Sequence, residues 1–428
     1  MGVGKGKERE NLLFLIYTVI YFLVLPFFLP REISKRPKGA RRKWFSEKLG
    51  FFDFFPVKDE GGAVWVHAVS VGEVMAAAPF IEALNERGIE TVISTITDTG
   101  RKVARTRFPG MHVLYLPFDL PCALGRAANR IKPRAFVLME TELWPNAIKV
   151  MSDKGVPVFI VNGRLSESSA AGYRRLRFFF RRVLSLVALM CVQDEVYAAR
   201  AVSIGAEPGK VAVTGNFKFE MKPSGRIPFW LEKLPAGAPV IVAGSTHKGE
   251  EGLIISVYKR LRGRFPGLRL VLAPRHPERV SEVEEELRAA GLDHLKSSEA
   301  CGQKGFLSES VIVVDTVGEL FRVYSRADAA IVGGSFSSRG GQNPLEPAYW
   351  GKPVICGPDM RNFPFMGELL KAGGALMARE DSLLEALEGL LADEGKRAQM
   401  GGKAREFYLE RSGAVQKTVN AMLDHLKI

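Results

Sequence analysis

Three carboxylates in this chain stand three residues after a helix-capping residue, each in a segment that follows an apolar run. Glu73 follows Ser70 in Trp65-Val66-His67-Ala68-Val69-Ser70-Val71-Gly72-Glu73. Glu319 follows Thr316 in Asp315-Thr316-Val317-Gly318-Glu319, and Glu346 follows Asn343 in Gln342-Asn343-Pro344-Leu345-Glu346. Such a spacing can be a capping box, in which the carboxylate only satisfies a backbone donor and stabilises by about 1 kcal/mol. The same carboxylate at the end of a buried strand can take a proton or hold a sugar hydroxyl. For Glu73 the catalytic reading is favoured, because Gly72 beside it lets a substrate come close. Asn343 reads as a helix N-cap with Pro344 as first helical residue. The glycine pairs before it, Gly333-Gly334-Ser335 and Gly340-Gly341, make a turn whose backbone N–H groups can meet a phosphate.

Further polar clusters share that placement. Gly244-Ser245-Thr246-His247 and Pro274-Arg275-His276-Pro277 each follow an apolar run, as does Met139-Glu140-Thr141-Glu142-Leu143-Trp144-Pro145-Asn146. Arg275 and His276 suit an anion or base contact. His294 and Cys301 have no such company and read as bland. Residues 164–182, RLSESSAAGYRRLRFFFRR, interleave arginines with phenylalanines. That pattern can hold nucleic acid, but beside the apolar segment described next, a membrane surface or phosphorylated lipid is the simpler partner.

Residues 11–30, NLLFLIYTVIYFLVLPFFLP, carry no charge and are about long enough to cross a bilayer core. Lys5, Lys7 and Arg9 precede them, and the heavier basic flank, from Arg31 to Lys43, follows. This predicts a retained anchor with the main body in the cytoplasm. The aromatic patch Phe51-Phe52-Asp53-Phe54-Phe55 reads as a secondary lipid contact. The net charge of +13 and pI near 9.5 call for an anionic partner. Four scattered cysteines, with no CxxC or cysteine–histidine cluster, argue for reduced thiols and against structural zinc.

The elements that must position these groups are short β-branched runs separated by amphipathic helical stretches. Strands are predicted at 63–67, 91–97, 112–117, 135–139, 156–161, 187–192 and 211–214. A second series follows at 240–243, 269–273, 311–314, 329–332, 354–356 and 375–377. Buried runs alternating with helices mean a parallel, doubly wound sheet, here twice. The stretch between 219 and 239 is rich in proline and glycine and reads as a linker. Two such domains put a ligand at the carboxyl ends of the strands.

HAVSVGE, LPFDLP, METELWPN, NGRLSESSAAGYRR, TGNFKF, GSTHKGEE, PRHPER, DTVGEL and GGSFSSRGGQNPLEP occur in order across almost the whole chain. With these motifs the sequence resembles the Kdo (3-deoxy-D-manno-octulosonic acid) transferases of lipopolysaccharide assembly. The resemblance implies a GT-B glycosyltransferase with two Rossmann-like domains facing a cleft. Residues 1–43 would be the anchor and basic flank, 44–220 the acceptor domain, 221–238 the linker, 239–405 the donor domain and 406–428 a helix crossing back. It implies an inverting, metal-independent enzyme with no cofactor, moving Kdo from CMP-Kdo to a membrane-embedded lipid A precursor. Carried over by motif, Glu73 is the general base, and Glu140 and Lys218 stabilise the transition state. CMP would be met by Pro274, Arg275, Val317, Gly318, Glu319, Asn343, Pro344, Leu345 and Glu346, with Ser245, Thr246, His247, His276, Gly334 and Ser335 nearby. Arg164, Arg174, Arg175 and Arg177 would suit the phosphates of the lipid acceptor. A nucleotide-sugar epimerase of the same fold, or a membrane-tethered nucleotide- or RNA-binding protein, are the alternatives.

Overall fold

In a computed structural model of the protein, residues 2–52, 62–223, 225–300, 302 and 310–428 are described, with side chains from Asn11 onward. Asp53–Phe55 of the aromatic patch and Cys301 lie outside the described residues. The chain forms two compact units, one of residues 1–221 with 412–428, the other of residues 222–411.

The first unit is built on a wholly parallel sheet. Its strands are β1 (Val64–His67), β2 (Thr91–Thr95), β3 (His112–Tyr115), β4 (Ala135–Met139), β5 (Val158–Gly163), β6 (Val187–Val192) and β7 (Val211–Val213). They lie in the order β3-β2-β1-β4-β5-β6-β7. Alternate side chains enter two cores. Trp65, Phe136, Leu138 and Ile160 point to one face, Val64, Val66, Val137, Phe159 and Val161 to the other. Both faces are covered, so the strands read as unbroken apolar runs rather than as an alternation. The chain order reverses between β1 and β4, and it is outside the carboxyl ends of such a pair that open α/β sheets bind ligands.

The second unit repeats the plan with β8 (Val240–Thr246), β9 (Arg269–Pro274), β10 (His294–Lys296), β11 (Val311–Val313), β12 (Ala329–Val332), β13 (Val354–Cys356) and β14 (Ala375–Met377). The order is β10-β11-β9-β8-β12-β13-β14, again all parallel, with the reversal between β8 and β12. The stretch read as a linker is better anchored than its composition suggests. Trp230, Leu231 and Leu234 are buried against Val240, Val242 and Val271, and Arg322 donates to the carbonyls of Pro223 and Gly225. Proline and glycine there prevent regular strands or long helices, but three apolar side chains still tie the segment to the core.

The C-terminal helix Ala414–Leu426 belongs to the first unit. Val415, Val419 and Met422 join the core beneath Val64 and Val66, and Thr418 Oγ1 donates to Thr214 Oγ1 at 2.8 Å.

The apolar helix runs Gly2–Ser34, straight through Pro26 and Pro30. Its segment Asn11–Ser34 is long and apolar enough to cross a membrane, with mean hydropathy 2.6. One stripe lies along the first unit. Phe14 and Tyr17 pack on Phe179, while Tyr21, Leu25, Leu29 and Ile33 meet the cluster of Trp44, Tyr115 and Phe118. Tyr17 donates to Asp119 at 2.8 Å and Thr18 to Asn146 at 3.1 Å. The opposite face, from Leu12 to Phe28, is exposed, Phe27 by 81%.

Candidate active site

At the reversal point of the first sheet, β1 leads through Ser70 into the helix Val71–Asn85. Ser70 is the N-cap and accepts from Glu73 N at 3.4 Å; Glu73 Oε2 in turn accepts from Val69 N at 2.9 Å. The capping arrangement is therefore real, but it does not use the carboxylate up. Burial raises the Glu73 carboxyl from its ordinary value to about 7, against the pull of the Val69 N–H, and Glu140 and Glu142 push the same way. Gly72 is exposed, and a Cβ there would meet only Ser70 Oγ, at an ordinary contact distance of 3.8 Å.

Glu140 comes from the neighbouring strand, just past β4, and holds a left-handed backbone at φ 56°. Asn162, at the end of β5, is left-handed too, at φ 54°. Non-glycine residues held there cost of order 1 kcal/mol or more and tend to mark functional edges. Asn162 Oδ1 accepts from Phe217 N at 3.0 Å and so fixes the short 3-10 turn Phe217–Glu220 that carries Lys218. Lys218 is half-buried. Desolvation lowers its pKa first and Arg164 second, while Glu140 acts in the opposite sense. Glu140, Arg164 and Lys218 are thus electrostatic neighbours, which sequence spacing did not reveal for Arg164. Its Nε donates to Glu140 Oε2 at 2.6 Å, so it orients a carboxylate rather than standing free for lipid.

The other arginines of residues 164–182 do not join this group. Arg174 pairs with Glu167 and Arg177 donates to the Ser203 carbonyl; Arg175 is exposed. Phe179 and Phe180 are core residues, leaving Phe178 and Leu176 exposed. The helix Arg177–Ser185 is amphipathic, and two of its three phenylalanines fall on the inward side. His67 is also a core group. It is fully buried beside Ser94, and burial drives its pKa down to about 3.

In the second unit the loops after β8 and β12 meet at the reversal point. The glycine-rich turn was expected to offer N–H groups to a phosphate; here most of them are already occupied. Glu250, buried, accepts from Gly334 N at 2.7 Å, Phe336 N at 2.9 Å and His247 N at 2.8 Å. Gly340 N donates to Asp359, and Gly341 N and Gln342 N donate to carbonyls of the turn itself. Sequence reasoning missed Glu250, although it lies within GSTHKGEE. The signal was a carboxylate in the first turn of the helix Glu250–Arg262. Close packing explains Gly333, where a Cβ would come within 2.3 Å of the Ser245 carbonyl oxygen.

Two of the candidate ligand side chains prove to be internal. Thr246 is buried and its Oγ1 donates to Glu251 at 3.0 Å. Ser335 is buried, donating to the Val332 carbonyl and accepting from Gly357 N. Ser245 takes a left-handed backbone at φ 54°. His247 remains partly exposed, its Nε2 3.2 Å from Gln342 Nε2 and its ring 5.9 Å from that of His276. His276 lies 3.4 Å from Glu278.

Arg275 follows Pro274 at the end of β9, is exposed, and lies close enough to Glu346 to favour its ionised form. Burial nevertheless raises the Glu346 carboxyl to about 7, while Asn343 Nδ2, donating at 3.3 Å, and Arg275 oppose that rise. The helix here is Leu345–Tyr349, one residue later than expected, with Pro344 outside it; Asn343 Oδ1 still accepts from Leu345 N at 3.1 Å. Glu319 Oε2 accepts from Trp230 Nε1 at 3.1 Å, so its partner is the anchored connecting segment and not a cap at Thr316. Val317 and Gly318 sit exposed beside it, Gly318 at φ 97°.

The sequence profile described as 3-Deoxy-D-manno-octulosonic-acid transferase (kdotransferase) matches residues 43–221. The 3-deoxy-D-manno-octulosonic acid transferase of Haemophilus influenzae is 32% identical over 424 residues, covering 96% of this chain and 98% of that protein. The protein of the same description from Bordetella pertussis is 36% identical, over 85% and 87%. Among solved structures, a putative UDP-N-acetylglucosamine 2-epimerase from Listeria monocytogenes superposes with a TM-score of 0.58 at 12% identity, over 85% of this chain and 96% of that one. That likeness is one of fold alone.

Proposed function

The chain belongs to the 3-deoxy-D-manno-octulosonic acid (Kdo) transferases, and on that premise we propose that it moves Kdo from CMP-Kdo to the disaccharide of a lipid A precursor, releasing CMP with inversion. The observation that carries this reading is Glu73: a carboxyl raised to about 7 at the reversal point of its sheet, beside Glu140, Arg164 and Lys218. A general base works best with a pKa near the working pH. In the proposed step the acceptor hydroxyl oxygen bonds to the anomeric carbon of Kdo as the bond from that carbon to the CMP phosphate breaks. The hydroxyl proton passes to Glu73, and the electron pair leaves on the phosphate. Lys218, its charge held between Arg164 and Glu140, opposes the developing negative charge.

The donor nucleotide is assigned to the second unit, at Pro274-Arg275, Val317-Gly318-Glu319 and Asn343–Glu346. Arg275→Ala is expected to weaken CMP by about 1–3 kcal/mol, the cost of a lost charge-assisted contact. Calorimetry returning the wild-type affinity would remove Arg275 from the site. Transfer is expected to survive chelation, Lys218 taking the place of a divalent ion; a strict need for added Mg²⁺ would count against that assignment. The exposed apolar face of the helix Gly2–Ser34 enters the inner membrane while its opposite stripe stays on the first unit, with both units on the cytoplasmic side. The decisive experiment incubates the purified chain with CMP-Kdo and lipid A precursor and weighs the lipid. Absence of a Kdo mass increment, with both substrates shown to bind, would overturn the proposal.

A further inference from the structure

The helix Pro145–Asp153 starts without a cap of its own. Its N-cap is Trp144, whose side chain offers no acceptor, and Pro145 fills its first position. The N–H groups of Asn146 and Ala147, both buried, would be left without partners. A carboxylate from another segment meets them. Asp119, 1% exposed within LPFDLP, accepts from Ala147 N on Oδ1 at 2.8 Å and from Asn146 N on Oδ2 at 3.2 Å. Asn146 Nδ2 donates back to the Asp119 carbonyl at 2.6 Å. The motif that carries Asp119 has no part in the transfer step.

The same carboxylate has a third donor, and it comes from the apolar helix Gly2–Ser34. Tyr17 Oη donates to Asp119 Oδ2 at 2.8 Å. Thr18 Oγ1, which also faces the Phe14 carbonyl, lies 3.1 Å from Asn146 Oδ1. Burial drives the Asp119 carboxyl up to about 6, while Tyr17 and the two amides pull it down, so at neutral pH it stays an acceptor. These contacts lie on the stripe of the helix that faces the protein, and they owe nothing to lipid.

What this latch holds is the stretch between β4 and the helix Pro145–Asp153, residues 140–144. Its first end is tied to the sheet, where Glu140 N donates to the Val161 carbonyl at 2.9 Å and Arg164 N to Thr141 Oγ1 at 3.1 Å. Its second end is tied by Asp119. We propose that Asp119 is a positioning residue, and that Tyr17 and Thr18 make the placement of Glu140 and Glu142 depend on the seated apolar helix. Five residues pinned at both ends have little freedom; released at one end, Glu142 and then Glu140 can drift from Glu73. A misplacement of about 1 Å can cost a hundredfold in rate. The catalytic consequence rests on the transferase reading, whereas the anchoring of the loop does not.

The test uses the full chain in uncharged detergent micelles. In Asp119→Ala the amides of residues 146 and 147 are expected to exchange hydrogen at least about tenfold faster, while β1–β7 keep their protection. Tyr17→Phe with Thr18→Val keeps both side chains near their size and breaks only the helix contacts; residues 140–147 should exchange about tenfold faster there too. With CMP-Kdo and lipid A precursor, kcat should fall about tenfold in both variants at an unchanged KM for CMP-Kdo. The pH limb set by Glu73 should also move below 7. Glu140 and Glu142, which push that carboxyl up, would have drifted away, leaving the Val69 N–H and Ser70, which lower it. Leu29→Ala, which thins the helix packing near Trp44, should match the wild type in exchange and in turnover. If Asp119→Ala loses protection throughout β1–β7, the milder pair decides. Unchanged exchange in that pair, faster exchange with wild-type kcat and pH limb, or equal losses in Leu29→Ala would overturn the proposal. A wild type that transfers no Kdo would end the transferase reading and leave the exchange result to judge the latch.

Discussion

Glu73→Gln is expected to lose at least about a hundredfold in turnover while keeping the fold and CMP binding, the scale of a missing general base. Glutamine suits the test because Glu73 has two jobs. Its Oε2 accepts from Val69 N, and a glutamine carbonyl can still accept there, so the helix keeps its cap. What glutamine cannot do is take a proton. The pH dependence gives an independent reading. Only the ionised carboxylate is a base, so with Glu73 near 7 the wild-type kcat/KM should rise about tenfold per pH unit below 7 and level off above it. The variant should lose that limb. Stability should move the other way. Burial raises this carboxyl above its ordinary 4.5, so the stability contributed by its neutral form is complete below 4.5 and is lost as pH rises through about 7. Glutamine stays neutral, and at pH 8 the variant should melt no lower than wild type. A variant that turns over normally would reduce Glu73 to a cap; one that melts early would make its lost activity uninformative.

The two sheets were legible because both faces of a parallel sheet are covered, which writes each strand as an apolar run. β4, β6, β12, β13 and β14 begin and end where those runs do. β10 was not legible: His294-Leu295-Lys296 is three residues with one apolar side chain, and only its parallel pairing to β11 makes it a strand. The carboxylates after strands were visible as spacing, but their partners were not. Glu140 with Arg164, Glu319 with Trp230 and Glu346 with Arg275 are meetings made by the sheets across tens of residues. Composition misled most where it was most suggestive. Phe179 and Phe180 sit among arginines yet serve the core, because the sequence does not say which side of a short helix faces inward until its neighbours are placed.

Glu250 carries the second large expected effect, and it too depends on such a meeting. The loops after β8 and β12 each bring backbone N–H groups toward one another, and without an anion between them those dipoles would be buried unpaired. Glu250 supplies the anion, accepting from His247 N, Gly334 N and Phe336 N at 2.7–2.9 Å. Glu250→Ala leaves three donors with no acceptor, each costing about 1–3 kcal/mol if buried. Relaxation and entering water recover part of this, so a net local loss of about 3 kcal/mol is expected. By the same arithmetic the amides of residues 333–336 should exchange hydrogen about a hundredfold faster, while β1–β7 in the first unit keep their protection. Glu250→Gln should fall between, since its amide group can face at most some of the three donors as an acceptor. If these loops hold the donor sugar, CMP-Kdo binding weakens in step with the exchange. Unchanged exchange in the alanine variant would mean that the turn is held by its glycine backbone alone, and that the buried carboxylate is dispensable to it.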